Sequence, residues 1–169
     1  MISDHLYDLA KFNWLGEFMR SEKWAFATGE TLHFVGLSLL VGAMMIVDLR
    51  LLGFMKAMPY RVALKFLPVA LIGFAINLCT GLMFIATEPR NYGTNPAFWV
   101  KMGLIALGGL NALWFTLVEH RRVSALSDGQ SVDGVSKASA VLSLMLWAAV
   151  IAAGRLLPTF ASPEGGGVG

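Results

Sequence analysis

Residues 25–47 read Ala25-Phe-Ala-Thr-Gly-Glu-Thr-Leu-His-Phe-Val-Gly-Leu-Ser-Leu-Leu-Val-Gly-Ala-Met-Met-Ile-Val47. A helix needs about 20 predominantly apolar residues to cross a bilayer, so this stretch predicts a transmembrane helix. Glu30 and His33 nevertheless lie inside it. Because ionisable groups at membrane depth are energetically costly, these two residues are candidates for a functional site.

The composition of the whole chain agrees with a membrane location. Its 169 residues are 56% hydrophobic and 14% charged, whereas soluble domains contain about 25% charged residues. The net charge of +2 is too small, and the basic residues are too scattered, to indicate nucleic acid binding. The single cysteine, Cys79, excludes an intrachain disulfide and a cysteine-based zinc site.

Three more hydrophobic stretches follow the first one. Within a transmembrane domain of residues 24–158, we predict four spans at about 25–47, 63–86, 97–118 and 138–157. The short connections between them predict an all-α fold, an up-down-up-down bundle of four transmembrane helices embedded in the lipid bilayer. Residues 159–169 are rich in glycine and have little to bury, so we expect a disordered tail.

The segment before the first span, residues 1–23, mixes apolar and charged side chains. Its apolar residues recur at spacings of three and four, as Leu15, Phe18 and Met19 illustrate. This spacing predicts a short amphipathic helix at the membrane interface. The alternative is a frayed polar tail.

The loops between the spans differ in charge. The loop at residues 87–96 contains one basic residue, Arg90. The two other loops contain six basic residues: Arg50, Lys56, Arg61, Arg121, Arg122 and Lys137. By the positive-inside rule, the basic loops face the cytoplasm. We therefore expect a bacterial inner membrane protein with both termini in the periplasm. Asp48-Leu-Arg50 is then expected to lie at the cytoplasmic surface and to anchor the end of the first helix.

Polar residues from all four spans fall at a similar depth near the periplasmic side, by the rise of 1.5 Å per residue in a helix. They are Glu30, His33, Asn77, Thr80, Lys101 and Arg155. This cluster is the candidate cofactor-binding site. Structural alternatives also exist: Lys101 and Arg155 can extend to the headgroups, Glu30 can pair with either, and Asn77 can join helices.

His33 is the candidate metal ligand, because Gly29 and Gly36, one turn away on each side, could leave room for a flat macrocycle. The alternative is a structural hydrogen bond. A second axial histidine at the same depth is missing, because His120 lies more than roughly 10 Å away in depth. A haem would therefore need His33 as its only axial ligand, a methionine, or His33 from a second protomer.

Several short motifs carry a resemblance to known proteins: Gly29-Glu-Thr-Leu-His-Phe-Val-Gly36, Asp48-Leu-Arg-Leu-Leu-Gly53, Asn95-Pro-Ala-Phe-Trp-Val-Lys101 and Gly154-Arg155. Over nearly all of residues 24–157, the chain resembles a family of small uncharacterised bacterial four-helix membrane proteins. More distantly, it is similar to the copper-resistance D type membrane domain and to the four-helix bacterial protoporphyrinogen oxidase family, through Leu32-His33 and Lys101. The first resemblance implies the fold and the membrane location, and the second implies an association with haem.

Three functions remain open. The first is a redox-type protein with a haem b or quinone site near the periplasmic face around His33, working with a redox partner in the membrane or as a homo-oligomer. The second is a non-catalytic membrane subunit or a small transporter coupled to ions or protons through Glu30 and His33. The third is a structural bundle in which the polar cluster only joins helices.

Overall fold

The structure is a computed structural model that describes residues 14–127 and 130–160. Within those ranges it is all-helical, and four of its helices are long and apolar enough to cross a membrane. The predicted fold class is therefore confirmed. The first to fourth spans are Lys23–Leu52, Tyr60–Thr87, Pro96–Ser124 and Gly134–Phe160. Residues 161–169, most of the predicted tail, lie outside the described residues, as do residues 1–13.

The spans contain irregular turns, and two short helices lie outside them. A 3₁₀ turn interrupts the second span, a π turn interrupts the third span, and another 3₁₀ turn ends the fourth. Single π turns inside α-helices often occur at functional sites. In chain order the helical elements are Trp14–Ser21, Lys23–Leu52, Tyr60–Ala63, Leu64–Phe66 (3₁₀), Leu67–Thr87, Pro89–Thr94, Pro96–Trp114, Phe115–Glu119 (π), His120–Ser124, Gly134–Leu156 and Leu157–Phe160 (3₁₀).

The first and fourth spans are the inner pair of the bundle: the first span packs against the second and the fourth, and the fourth span packs against the first and the third. One core cluster at this junction consists of Leu40, Ala43, Met44, Ala70, Trp147 and Val150. Large apolar side chains such as Phe34, Leu71 and Leu117 are instead exposed on the outside of the bundle. This distribution is that of a membrane protein, in which lipid is as good a neighbour for apolar side chains as protein.

The first and second spans touch backbone to backbone at two glycines. A Cβ atom added to Gly73 would lie 2.5 Å from the amide nitrogen of Leu40 and 2.6 Å from the carbonyl oxygen of Gly36. A Cβ added to Gly36 would lie 2.8 Å from Nδ2 of Asn77. Only glycine at both positions permits this crossing. The close approach increases dispersion contacts between the two helices, and such contacts matter in a bilayer because the hydrophobic effect does not drive helices together there.

A second core cluster lies where the first span ends and the second span begins. Arg50 is buried there, with its guanidinium 3.7 Å above the ring of Tyr60 and its Nε donating a hydrogen bond to the carbonyl of Met58. Gly53 ends the first helix with φ of 92°, a left-handed conformation that favours glycine. The buried members of the cluster are Val47, Leu51, Tyr60, Leu64, Phe115, Val123, Val132 and Ala140.

Side-chain caps fix the starts of the third and fourth spans. Asn95 accepts a hydrogen bond from the amide of Ala97 at 3.0 Å and donates one to the carbonyl of Leu157 at 2.9 Å. Asp133 accepts from the amide of Ser136 at 3.0 Å. This backbone hydrogen bond, together with the contact to Arg122, holds the pKa of Asp133 below its usual value.

The helix Trp14–Ser21 is the described part of the predicted amphipathic segment. It packs on the bundle: a Cβ on Gly16 would lie 2.3 Å from the carbonyl oxygen of Ala86. Arg20 donates a hydrogen bond of 2.8 Å to the carbonyl of Thr87, the last residue of the second span. A cation is favourable at this position, where helix carbonyls lack partners.

The crossing of the first two spans predicts that Gly73→Ala lowers stability while Gly81→Ala does not. Both glycines lie in the second span, but a Cβ on Gly81 meets nothing within 4 Å. We expect a loss of about 1–3 kcal/mol for Gly73→Ala, from forced separation of the helices. Thermal unfolding in mild detergent measures both variants. Equal melting temperatures would contradict the crossing.

Candidate functional site

The candidate site is centred on a hydrogen bond between the first two spans. Nδ1 of His33 lies 2.7 Å from Oγ1 of Thr80. His33 is half-buried, whereas Thr80 is only 3% exposed. The contact exists because His33 lies three residues before Gly36, so that the crossing of the two backbones brings the second span within reach of the imidazole.

Other bonds of Thr80 indicate which nitrogen of His33 carries the proton. The Thr80 hydroxyl also lies 2.8 Å from the carbonyl of Ile76, to which it donates its single hydrogen. Its lone pair is then the acceptor for Nδ1–H of His33, and Nε2 keeps a free lone pair. A histidine ligand held in this way, with one nitrogen donating to the protein, presents the other to a ligand.

The immediate surroundings of the imidazole are aromatic on the side of the second span. The ring of Phe84 lies 5.5 Å from that of His33, between centroids. Leu32 and Phe34 are exposed on the lipid-facing surface. The imidazole therefore lies at the boundary between the bundle interior and the lipid.

The glycines on either side of His33 do not leave space for a macrocycle. A Cβ on Gly29 would meet Met19 and Phe84 at 3.4 Å each, so these side chains fill that space. The space beside Gly36 is filled by the second span. Both glycines thus serve helix packing. A haem b ligated by His33 stays a prediction, but the space beside Gly29 and Gly36 that the sequence suggested for it is filled by protein atoms.

Lys101 reaches the same part of the bundle from the third span. Its ammonium nitrogen lies against the fourth span, 3.6 Å from where a Cβ on Gly154 would lie. Lys101 is half-buried and interacts electrostatically with His33. Within residues 14–127 and 130–160, its ammonium forms no hydrogen bond or ion pair. It is a cation without a counter-ion at the site, which favours a ligand with negative charge or a polar oxygen.

Glu30 and Arg155 do not join this group. Both side chains are exposed, and in the described structure neither forms an ion pair. Glu30 instead acts on Tyr92 in the short helix Pro89–Thr94: burial, then the charges of Glu88 and Glu30, raise the pKa of Tyr92 above its usual value. The predicted pairing of Glu30 with Lys101 or Arg155 is therefore absent from the described residues.

Asn77 lies next to the helix crossing. Its Nδ2 donates a hydrogen bond of 3.0 Å to the carbonyl of Gly73, one turn earlier in the same span. Its Oδ1 is buried and lacks a partner within the described part of the chain. The structure thus brings together His33, Thr80 and Asn77 at the first two spans, with Lys101 within electrostatic range of His33.

Two deeply buried carboxyl groups lie outside the predicted site. Asp48 and Glu119 are only 3% and 5% exposed. Asp48 does lie close to the end of the first helix, but this helix continues past the predicted span to Leu52 and turns the side chain towards the fourth span, where it is buried. Its position on the cytoplasmic side of the membrane stays a prediction. A signal existed: Ser136, Ser139 and Ser143 recur at spacings of three and four, which marks a polar buried face on the fourth span.

Comparisons with known proteins agree with the fold and add no activity. Residues 6–160 match the model of a family described as a family of unknown function, DUF6644. No match was found among curated proteins or among solved structures. The family match supports the resemblance to an uncharacterised family, and nothing in it supports the similarity to the copper-resistance D type domain or to protoporphyrinogen oxidase.

The contact between His33 and Thr80 predicts the tautomer of the imidazole. With ¹⁵N-labelled histidine, NMR of the neutral ring should show a protonated Nδ1 and an unprotonated Nε2. Thr80→Val removes the acceptor and should abolish this preference, whereas Thr80→Ser should keep it. His33→Gln identifies the signal. A protonated Nε2 in the unmodified protein would contradict the assignment.

Proposed function

The chain belongs to the DUF6644 family, and from that premise we propose that it is an integral membrane protein that binds a quinol headgroup at His33. The observation that carries this proposal is the hydrogen bond of 2.7 Å from His33 to Thr80. It fixes the ring and leaves Nε2 as a hydrogen-bond acceptor. A quinol presents a hydroxyl group that donates to such an acceptor.

The position of His33 suits a ligand that is dissolved in the bilayer. The imidazole is half-buried, and its neighbours Leu32 and Phe34 face the lipid. A quinol headgroup can therefore reach Nε2 from the hydrocarbon region, while its isoprenoid chain stays among the lipids. No opening to water is required.

Lys101 adds an electrostatic preference to this site. Its ammonium is half-buried and interacts with the imidazole of His33. A positive charge close to the headgroup favours the deprotonated or reduced forms of the quinone, whose oxygens carry more negative charge. A redox partner in the same membrane would exchange electrons with the bound quinone.

Two other hypotheses have weaker support from the geometry. The space that a haem would need beside Gly29 and Gly36 is filled by the second span and Met19. Coupling to ions or protons through Glu30 and His33 would need contact between the two residues, and in the described residues no hydrogen bond joins them. The quinol needs only His33 and access from the lipid.

We also propose that the chain lies in a bacterial inner membrane with its His33 end towards the periplasm. The support is the excess of lysine and arginine in the loops at the other end, where Lys56 and Arg61 are exposed. By contrast, the loop that contains Arg90 has only that one basic residue.

The quinol proposal predicts saturable binding that depends on His33. Decylubiquinol added to the purified protein in mild detergent should quench its tryptophan fluorescence to a plateau at about one quinol per chain. His33→Phe keeps an aromatic ring but removes the acceptor, so affinity should fall about tenfold or more, as for the loss of a buried hydrogen bond.

The matched control is His120→Phe, since His120 lies near the opposite end of the third span. This variant should bind decylubiquinol as the unmodified protein does. Equal binding by the His33→Phe variant would refute the proposal. A Soret band that is present in the purified protein and lost in the His33→Phe variant would show that His33 binds haem and not a quinol.

The orientation proposal predicts which loop is accessible from the periplasm. In a Cys79→Ser background, Arg90→Cys should react with a membrane-impermeant maleimide in intact cells. Lys56→Cys should react only after the cells are lysed. Both side chains are exposed, so local burial does not affect the comparison. The reverse pattern would invert the topology.

A further inference from the structure

Three buried polar atoms on the first and fourth spans lack hydrogen bonds. They are Oδ2 of Asp48, Oγ of Ser143 and Nε1 of Trp147, none of which has a partner in the part of the chain that the structure describes. Each such group has lost its hydrogen bonds to water without gaining one in the protein, which is unfavourable. Unpaired buried groups of this kind therefore suggest that a bound molecule or ion supplies the missing hydrogen bonds.

These atoms belong to one interface. Ser143 and Trp147 lie one turn apart on the buried face of the fourth span. Asp48 interacts with the hydroxyl of Ser143, although not in hydrogen-bonding geometry. Met44, one turn before Asp48, shares a core cluster with Trp147. Asp48 and Ser143 thus face each other across the two antiparallel spans, while the ring of Trp147 also meets the third span, 3.5 Å from where a Cβ on Gly108 would lie.

The chemistry of the three groups identifies their occupant. An indole N–H only donates, a carboxylate only accepts, and a hydroxyl does both. Water can accept from Trp147 and donate to Asp48, whereas a metal cation would be repelled by the indole N–H. A buried water typically makes about three hydrogen bonds, which matches this set.

A line of polar side chains continues from this site to the loop end of the bundle. Ser139 donates a hydrogen bond of 3.0 Å to Oδ1 of Asn111. One turn further, Ser136 donates a bond of 2.5 Å to Glu119, in the π turn of the third span. Glu119 accepts in turn from Arg122 at 2.7 Å, and the side chain of Arg122 is 56% exposed. The serines thus follow one another at spacings of three and four on the fourth span, from the exposed Arg122 side chain towards Asp48, without direct hydrogen bonds between them in the described part of the chain.

The other buried charged groups at this end of the bundle have partners of their own. On its own span, Arg50 contacts Met58 and the ring of Tyr60. On the third span, Glu119 pairs with Arg122. In residues 14–127 and 130–160, no cation forms an ion pair with Asp48. Its negative charge is buried in the bundle and uncompensated, and binding a proton removes that charge.

We propose that Asp48, Ser143 and Trp147 form an internal, hydrated proton-binding site that exchanges protons with solvent at the Glu119 end of the bundle. A proton from solvent passes along water and the serine hydroxyls, each of which accepts one proton and gives one away. It ends on the carboxylate of Asp48, which becomes a neutral carboxyl. Release follows the same route in reverse. The site is separate from His33 and does not depend on a quinol.

The carboxyl reagent N,N′-dicyclohexylcarbodiimide tests the site in the full chain. A protonated carboxyl in apolar surroundings adds its O–H across a C=N bond of this reagent, and the resulting O-acylisourea rearranges to a stable N-acylurea without loss of atoms. We expect peptide mass spectrometry to find the adduct at Asp48. Above the titration midpoint, labelling should fall about tenfold for each pH unit, with the protonated fraction.

Asp48→Asn, which keeps the shape of the side chain, should remove the adduct and leave the protein folded. Exposed Glu17 on the helix Trp14–Ser21 serves as the internal control and should stay unmodified. An unlabelled Asp48 over the range from pH 5 to 9, or labelling that does not change with pH, would overturn the proposal.

A second measurement tests the route. After transfer to D₂O, the shift of the protonated carboxyl stretch in the infrared spectrum reports exchange at Asp48. Ser143→Ala should slow this exchange about tenfold, the rate change that roughly 1.4 kcal/mol of barrier produces. Ser38→Ala is the matched control, since Ser38 is exposed and bonds only to Phe34. Unchanged exchange in the Ser143→Ala variant would overturn the serine route.

Discussion

The close approach of Gly36 and Gly73 is the contact on which the rest of the structure depends. It brings the backbones of the first two spans together, with Gly73 so close to Leu40 that no Cβ fits between them. Because helices are stiff, this one crossing fixes the relative position of residues one and two turns away. His33 consequently meets Thr80. In a bilayer, where apolar side chains gain little by leaving lipid, such close packing supplies much of the association energy.

The polar side chains of the bundle fall into two groups at different depths. His33, Thr80 and Lys101 lie on one side of the apolar cluster around Leu40 and Met44, and the His33 ring borders the lipid. The other group surrounds Asp48 and is enclosed by the first, third and fourth spans. A lipid-facing group can receive a hydrophobic ligand, whereas an enclosed group can hold only water and protons. The two proposals follow from this difference in access.

Part of the candidate site could be predicted from residue types and helical rise. His33, Asn77 and Thr80 are polar residues at matching depth in antiparallel spans, and depth depends only on position along the helix. Glu30 and Arg155 satisfied the same criterion, yet their side chains are exposed, because depth does not specify which way a side chain points. Asp48 falls just after the predicted span at 25–47, so its burial could not be expected, although the helix continues to Leu52.

The sequence by itself determined the four apolar spans, because the cost of exposing backbone and charge to lipid leaves few alternatives for such stretches. Only the tertiary structure decided what the glycines do: Gly29 and Gly36 accommodate the second span and Met19, not a macrocycle. It also decided which buried polar atoms stay unpaired, at Asp48, Ser143 and Trp147. The rotation of each helix about its axis governs both outcomes, and that rotation is set by packing between helices that are distant in sequence.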